Sequence, residues 1–155
     1  MIRAALPGDV DDMAKLMARR REQYEHYQPL FWRRAEGAEE GHAAFLTKLV
    51  EQPSTISLVA ASDGFAGFVI ASLAPSPPVY DPGGPTCLID DFSVTDDTCW
   101  RTVGVALLEA ACDEARSRGA VQVVVVCGQA DEAKRSALRL AGLTVASEWW
   151  TAALG

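Results

Sequence analysis

At 155 residues, 49% of them hydrophobic, the chain is long enough for one domain with a substantial core that needs neither metal nor disulfides. A formal charge of −7 excludes a nucleic-acid or anionic-membrane surface, which requires clustered Lys and Arg, and favours a cationic partner. No apolar run approaches the ~20 residues that span a bilayer, and Met1-Ile2-Arg3-Ala4 lacks the apolar segment of a signal peptide, so a cytoplasmic protein is expected.

Residues 2–5 read as a short strand, and Pro7-Gly8-Asp9 turns into a helix with the apolar stripe Val10, Met13, Leu16, Met17 and Asp9 as N-cap. Arg19 to Arg21 form a solvated face. The segment from Tyr24 to Trp32 is dense in aromatics; Pro29 stops the helix, and Phe31 and Trp32 anchor the connection to the core. A second helix covers 38–51, with Ala44, Phe45, Leu46, Leu49 and Val50 on its buried side, and nothing in it suggests chemistry. The apolar runs 55–61 and 65–73, separated by Ser62-Asp63-Gly64, predict an antiparallel hairpin, so the sheet is not wholly parallel.

Residues 74–85 hold five of the eight prolines and form a stiffened loop that makes Tyr80 a candidate to reach a ligand. The strand Leu88–Val94 follows with Asp90-Asp91 in its middle; a period of two places these carboxylates on opposite faces, so that one faces a site. The stretch from Cys99 to Leu108 is a turn feeding a helix that ends at Gly119. Between Trp100 and Leu108 it has one cation, Arg101, no carboxylate, and small residues at Gly104 and Ala106. Backbone N–H groups there are open to an anion such as a pyrophosphate.

Val121–Cys127 is a β-branched run typical of a buried strand. Residues 129–140 form the last helix, closed by Gly142, with Lys134, Arg135 and Arg139 as a solvated face. The tail from Leu143 to Leu154 supplies one strand, with Trp149 and Trp150 on opposite sides and one of them in the core. Four cysteines without a C-x-x-C pair read as free thiols, Cys127 being the one to watch for reactivity. With two histidines and no ligand cluster, no metal is implied.

Arg101-x-x-Gly104-x-Ala106 after a strand ending at Val94 resembles the acyl-CoA signature Q/R-x-x-G-x-G/A of the GNAT N-acetyltransferases. Ile2-Arg3-Ala4-Ala5 with Asp9-Val10-Asp11-Asp12 is similar to that superfamily's first strand and helix, and Leu140-Ala141-Gly142-Leu143 to its helix-ending G-F element. The resemblance covers nearly all of residues 1–155, least in 21–52. It implies an α/β fold, a GNAT-like mixed, largely antiparallel central sheet flanked by helices on both faces.

It also implies a function: transfer of an acetyl group from acetyl-CoA to a primary amine, of a small molecule or a peptide N-terminus, by direct attack. Phe92, Ser93 and Val94 would then grip the pantetheine, and the amides of Arg101, Thr102, Val103, Gly104, Val105 and Ala106 the pyrophosphate. Lys134 or Arg135 would meet a CoA phosphate. Tyr24, His26 and Tyr27 lie in the segment that lines the family's acceptor pocket, and Asp90, Asp91 and Tyr80 are the catalytic candidates. Two departures stand out. Thr102 and Val103 replace a glycine and a cation usual in the signature, and Leu138 stands where a proton-donating tyrosine is common. The alternative is a catalytically silent acyl-CoA-binding module. A terminal strand rich in Trp implies a homodimer that covers it.

Overall fold

In the computed structural model, which describes residues 1–155, five strands form one sheet in the order in which the chain makes them. They are β1 (Ile2–Ala4), β2 (Ile56–Ala61), β3 (Phe65–Ala74), β4 (Thr86–Val94) and β5 (Gln122–Val125). β1 to β4 pair antiparallel, and β5 joins β4 parallel after a crossover. The β2–β3 hairpin turns where expected, at Gly64, whose φ of 124° is open to glycine and strained for other residues. Helices α1 (Val10–Tyr27) and α2 (Ala38–Glu51) cover one face, and α3 (Val105–Ser117) and α4 (Glu132–Leu140) the other. The mixed, largely antiparallel sheet flanked by helices is thus as the sequence suggests. No helix is long and apolar enough to cross a membrane.

Each face has its own core. Val10, Met13 and Leu16 of α1 and Leu46 of α2 close over Val59, Phe68 and Ile70. On the opposite face Leu107, Leu108 and Ala111 of α3 and Ala137 of α4 pack on Ile56, Val69, Ile89, Phe92 and Val94. Each large side chain so buried contributes roughly 1.5–3 kcal/mol by leaving water.

Four local expectations are corrected. Asp9 does not cap α1; its carboxylate accepts from both Arg3 guanidinium nitrogens at 2.7 and 2.9 Å and from the Leu6 amide at 2.7 Å. Phe45 is exposed, leaving Leu46 as the one fully buried residue of α2. The arginines 19–21 are not a solvated face, because Arg20 is buried and Arg21 bonds to α2. The tail beyond Leu143 makes no strand, and both tryptophans are exposed, Trp149 at 84% and Trp150 at 88%. With only four residues, β5 offers its outer edge few ladder groups, and a single last segment has no second strand with which to close an apolar face.

Candidate active site

The middle of β4 departs from its regular alternation. Val69 pairs with Phe92 and Ala71 with Ile89, so Asp90 and Asp91 together oppose Ile70 in a β-bulge. Ile89 before the bulge and Phe92 and Val94 after it all enter the α3/α4 core, which shifts the alternation by one residue. Both aspartates therefore leave the strand on the α1/α2 side, and the expectation of opposite faces is overturned. Asp91 meets His42 of α2, whose Nε2 lies 3.2 Å from Asp91 Oδ2, while His42 Nδ1 lies 2.5 Å from Arg21 Nη2. Since guanidinium only donates, Nδ1 accepts and Nε2 carries the hydrogen given to Asp91. Asp90 keeps an exposed edge, yet partial burial, with Asp91 adding repulsion, holds its carboxyl above the usual range.

At the same place β4 and β5 part. Their last bond runs from Val126 N to Ile89 O at 2.9 Å, and β4 beyond Ile89 has no β5 partner. Lys134 of α4 bridges the gap, its Nζ donating to Val126 O at 3.0 Å and to Phe92 O at 3.3 Å. It lies over the Phe92 and Trp100 rings, 5.3 and 5.5 Å from their centroids, and is 4% exposed. The solvated lysine expected here is a buried one, and burial pulls its proton affinity down.

Next to it Asp131 caps α4 through the Lys134 amide, and its Oδ2 accepts from the Tyr24 hydroxyl at 2.6 Å and from Arg20 at 3.4 Å. Arg20 also bonds Asp97 at 2.8 Å and stacks over Trp100. Tyr24 accepts from Gly128 N and, buried beside Asp131, resists ionisation. It is a framework residue, wedged with Trp32 against Gly128, where a Cβ would meet both rings at 3.1 Å.

The turn after β4 is helical throughout. A 3₁₀ turn over Asp97–Cys99 leads into a π-helical turn over Trp100–Gly104 and on into α3. Asp96 already caps its start, accepting from Thr98 N at 2.8 Å. Gly104 is buried, and its missing side chain serves the indole of Trp100: a Cβ there would lie 2.6 Å from Cε3. Trp100 is 1% exposed, packs edge-on against Phe92 at 4.9 Å, and its Nε1 is buried without a hydrogen-bond partner. Arg101 and Thr102 are exposed, and Val103, Val105 and Ala106 half-buried. Ser93 is buried on β4, its hydroxyl bonding weakly to the Val94 carbonyl.

The remaining candidates lie apart. Tyr80 is 72% exposed on the loop before β4, and its hydroxyl bonds nothing. His26 and Tyr27 line a shallow cavity of about 490 Å³ on the outer side of α1 with Arg19, Glu22 and Gln23. His26 Nδ1 is spent on the Glu22 carbonyl at 2.9 Å. Arg135 is half-buried and pairs with Glu132 at 3.7 Å. Leu138 packs on the core and supplies no proton. Burial raises the Cys127 thiol, and raises Cys87 to about 11, so neither is primed as a nucleophile.

Over 99% of its length the chain is similar to a mutant of the BH1408 protein from Bacillus halodurans, with a TM-score of 0.86, 15% identity and 99% of that chain covered. A predicted acetyltransferase of Clostridium acetobutylicum, solved with acetyl-CoA, matches 99% of this chain and 95% of its own at a TM-score of 0.74 and 14% identity. The aminoglycoside N-acetyltransferase AAC(6')-Iy, in complex with CoA, gives 0.73 and 14%, covering 99% and 93%. The chain has the GNAT N-acetyltransferase fold. No protein-family model and no curated protein matches the sequence itself.

On this GNAT fold, Arg20, His42 and Lys134 carry no motif, yet a signal for each was present. Arg20 continues the stripe Met13, Leu16, Met17; His42 lies one turn before Leu46; Lys134 stands between Ala133 and Ala137. A polar residue at a core position of a helix is buried and needs partners, whatever its charge suggests.

Proposed function

We propose that this GNAT-fold chain is a CoA-dependent N-acetyltransferase for a cationic amine, a small molecule or a peptide N-terminus. The observation that carries this reading is the parting of β4 from β5 immediately before the π-helical turn, which leaves strand backbone and a helix start side by side. The donor set fits an acyl-CoA: Trp100 Nε1 is a buried donor with no partner, and Lys134 adds an ammonium between the strands. Acetyl-CoA, when bound, supplies a thioester carbonyl open to attack by an amine.

The chain's own residues do the rest. The backbone from Phe92 to Val94 lines the gap, and Arg101, exposed on the helical turn, would offer its guanidinium to the pyrophosphate, because amides of that turn are already spent, Trp100 N on the Asp97 carbonyl and Val105 N on the Trp100 and Thr102 carbonyls. Asp91, fixed by the hydrogen it takes from His42, attracts the ammonium of the acceptor. Asp90, whose carboxyl is raised by burial and by Asp91, is the better proton acceptor and takes the amine's proton through a water. The negative formal charge of the chain favours the same cationic acceptor.

A CoA-release screen over polyamines, aminoglycosides, amino acids and peptides tests the reading. Release that depends on an added amine is the expected result. Binding of acetyl-CoA with no release for any amine would replace it with the silent acyl-CoA-binding module.

A further inference from the structure

Arg20 and Lys134 are both buried, at 8% and 4% exposure, and between them stands one buried carboxylate, Asp131 at 2%. Asp131 is committed to Arg20, to the Tyr24 hydroxyl and to the amide of Lys134. Asp97, the second partner of Arg20, is half exposed. The Lys134 ammonium has only the Val126 and Phe92 carbonyls and two aromatic faces, with no carboxylate paired to it. A chain of net charge −7 thus buries an unpaired cation, an arrangement that is costly unless a ligand supplies the anion. The indole under that ammonium carries the buried, unpartnered Nε1–H.

We infer that Lys134 and Trp100 Nε1 form a recessed site for a substrate carboxylate. This rests on the gap being the acyl-donor site. The carboxylate then comes either from an acyl chain that ends in one, such as succinyl, or from the α-carboxylate of an amino-acid acceptor. Lys134 is long and flexible enough to leave its two carbonyls and follow the anion, and the indole N–H adds a second donor that cannot ionise. The titratable groups around Lys134 are Arg20 from α1, Asp90 from β4, the neutral Cys127 thiol after β5, and Asp131 from α4. The cation among them discourages, and the two aspartates favour, the ammonium form, so a bound carboxylate adds to the favourable side.

Calorimetry of the full chain with succinyl-CoA, butyryl-CoA and acetyl-CoA, and with amino acids against their amides in the presence of CoA, tests this. One carboxylate-bearing arm should bind about 10- to 100-fold tighter than its neutral counterpart, the factor of a charge-assisted hydrogen bond, and the arm identifies the source. Lys134→Met should erase that preference, read as the ratio of charged to neutral binding within the variant itself, and Trp100→Phe should reduce the same ratio. Equal binding of charged and neutral partners, with acetyl-CoA bound, overturns the carboxylate site and leaves the acyltransferase reading intact. If no CoA thioester binds, both fall.

Discussion

Gly104→Ala separates packing from ligand approach at the turn after β4. The new methyl group would sit 2.6 Å from Trp100 Cε3 and 3.3 Å from Cζ3, and the indole is enclosed by Phe92, Lys134 and Arg20. Overpacking of a rigid, enclosed ring costs about 2–3 kcal/mol. Gly104 has φ −61° and ψ −49°, ordinary helical values, so alanine recovers about 1 kcal/mol of helix propensity. The net loss is about 1–2 kcal/mol, which for a domain of this size lowers Tm by about 2–8 °C. Urea and thermal unfolding measure it, and in a Trp100→Phe background the cost should shrink, because the contact is shared. A Gly104→Ala protein as stable as the wild type would refute the packing account. Unchanged CoA affinity in the folded variant would in turn show that Gly104 is there for the indole and not for the pyrophosphate.

Asp131→Asn should lower stability by about 3 kcal/mol in urea unfolding, because Arg20 would lose the buried half of its charge pairing; a loss under 1 kcal/mol would mean Asp97 suffices. Asp90→Asn should cut turnover with the true acceptor about 100-fold or more and Asp91→Asn should chiefly raise its KM; wild-type kinetics in both would remove the bulge from the chemistry. The exposed Trp149, Trp150 and Leu154 should be covered in a homodimer, and light scattering that finds only monomer at high concentration would contradict this.

The hairpin and the helix at 38–51 were readable because their signals are local. Apolar, β-rich runs on either side of Ser62-Asp63-Gly64, and an apolar stripe with Pro53 after it, depend on nothing distant. The faces of Asp90 and Asp91 were not readable, since a bulge is a property of two strands: β4 carries an extra residue only relative to β3. The buried polar cluster was missed for another reason. Charge draws the eye to solvent, whereas the helical period assigns Arg20, His42 and Lys134 to the interior, and the period prevailed because each found partners there. The tail failed for want of an edge, as its strand pattern is sound but β5 is too short to receive it.

The two cores also differ in when they become possible. Every residue of the α1/α2 core, from Ala5 to Ile70, belongs to the first 70 residues, whereas the α3/α4 core draws on Ile56 through Ala137. Because each strand is hydrogen-bonded to the one made just before it, a growing chain can add strands one after another without reserving a place for a later one. The apolar core of one face can therefore close while the other still waits for its helices, and β3, already paired on one edge, serves as the template on which β4 and its bulge are laid down. During synthesis the apolar residues Val69 and Ala71 of the waiting face stay open to water until Trp100 and Leu107 emerge, an interval in which the chain is open to aggregation.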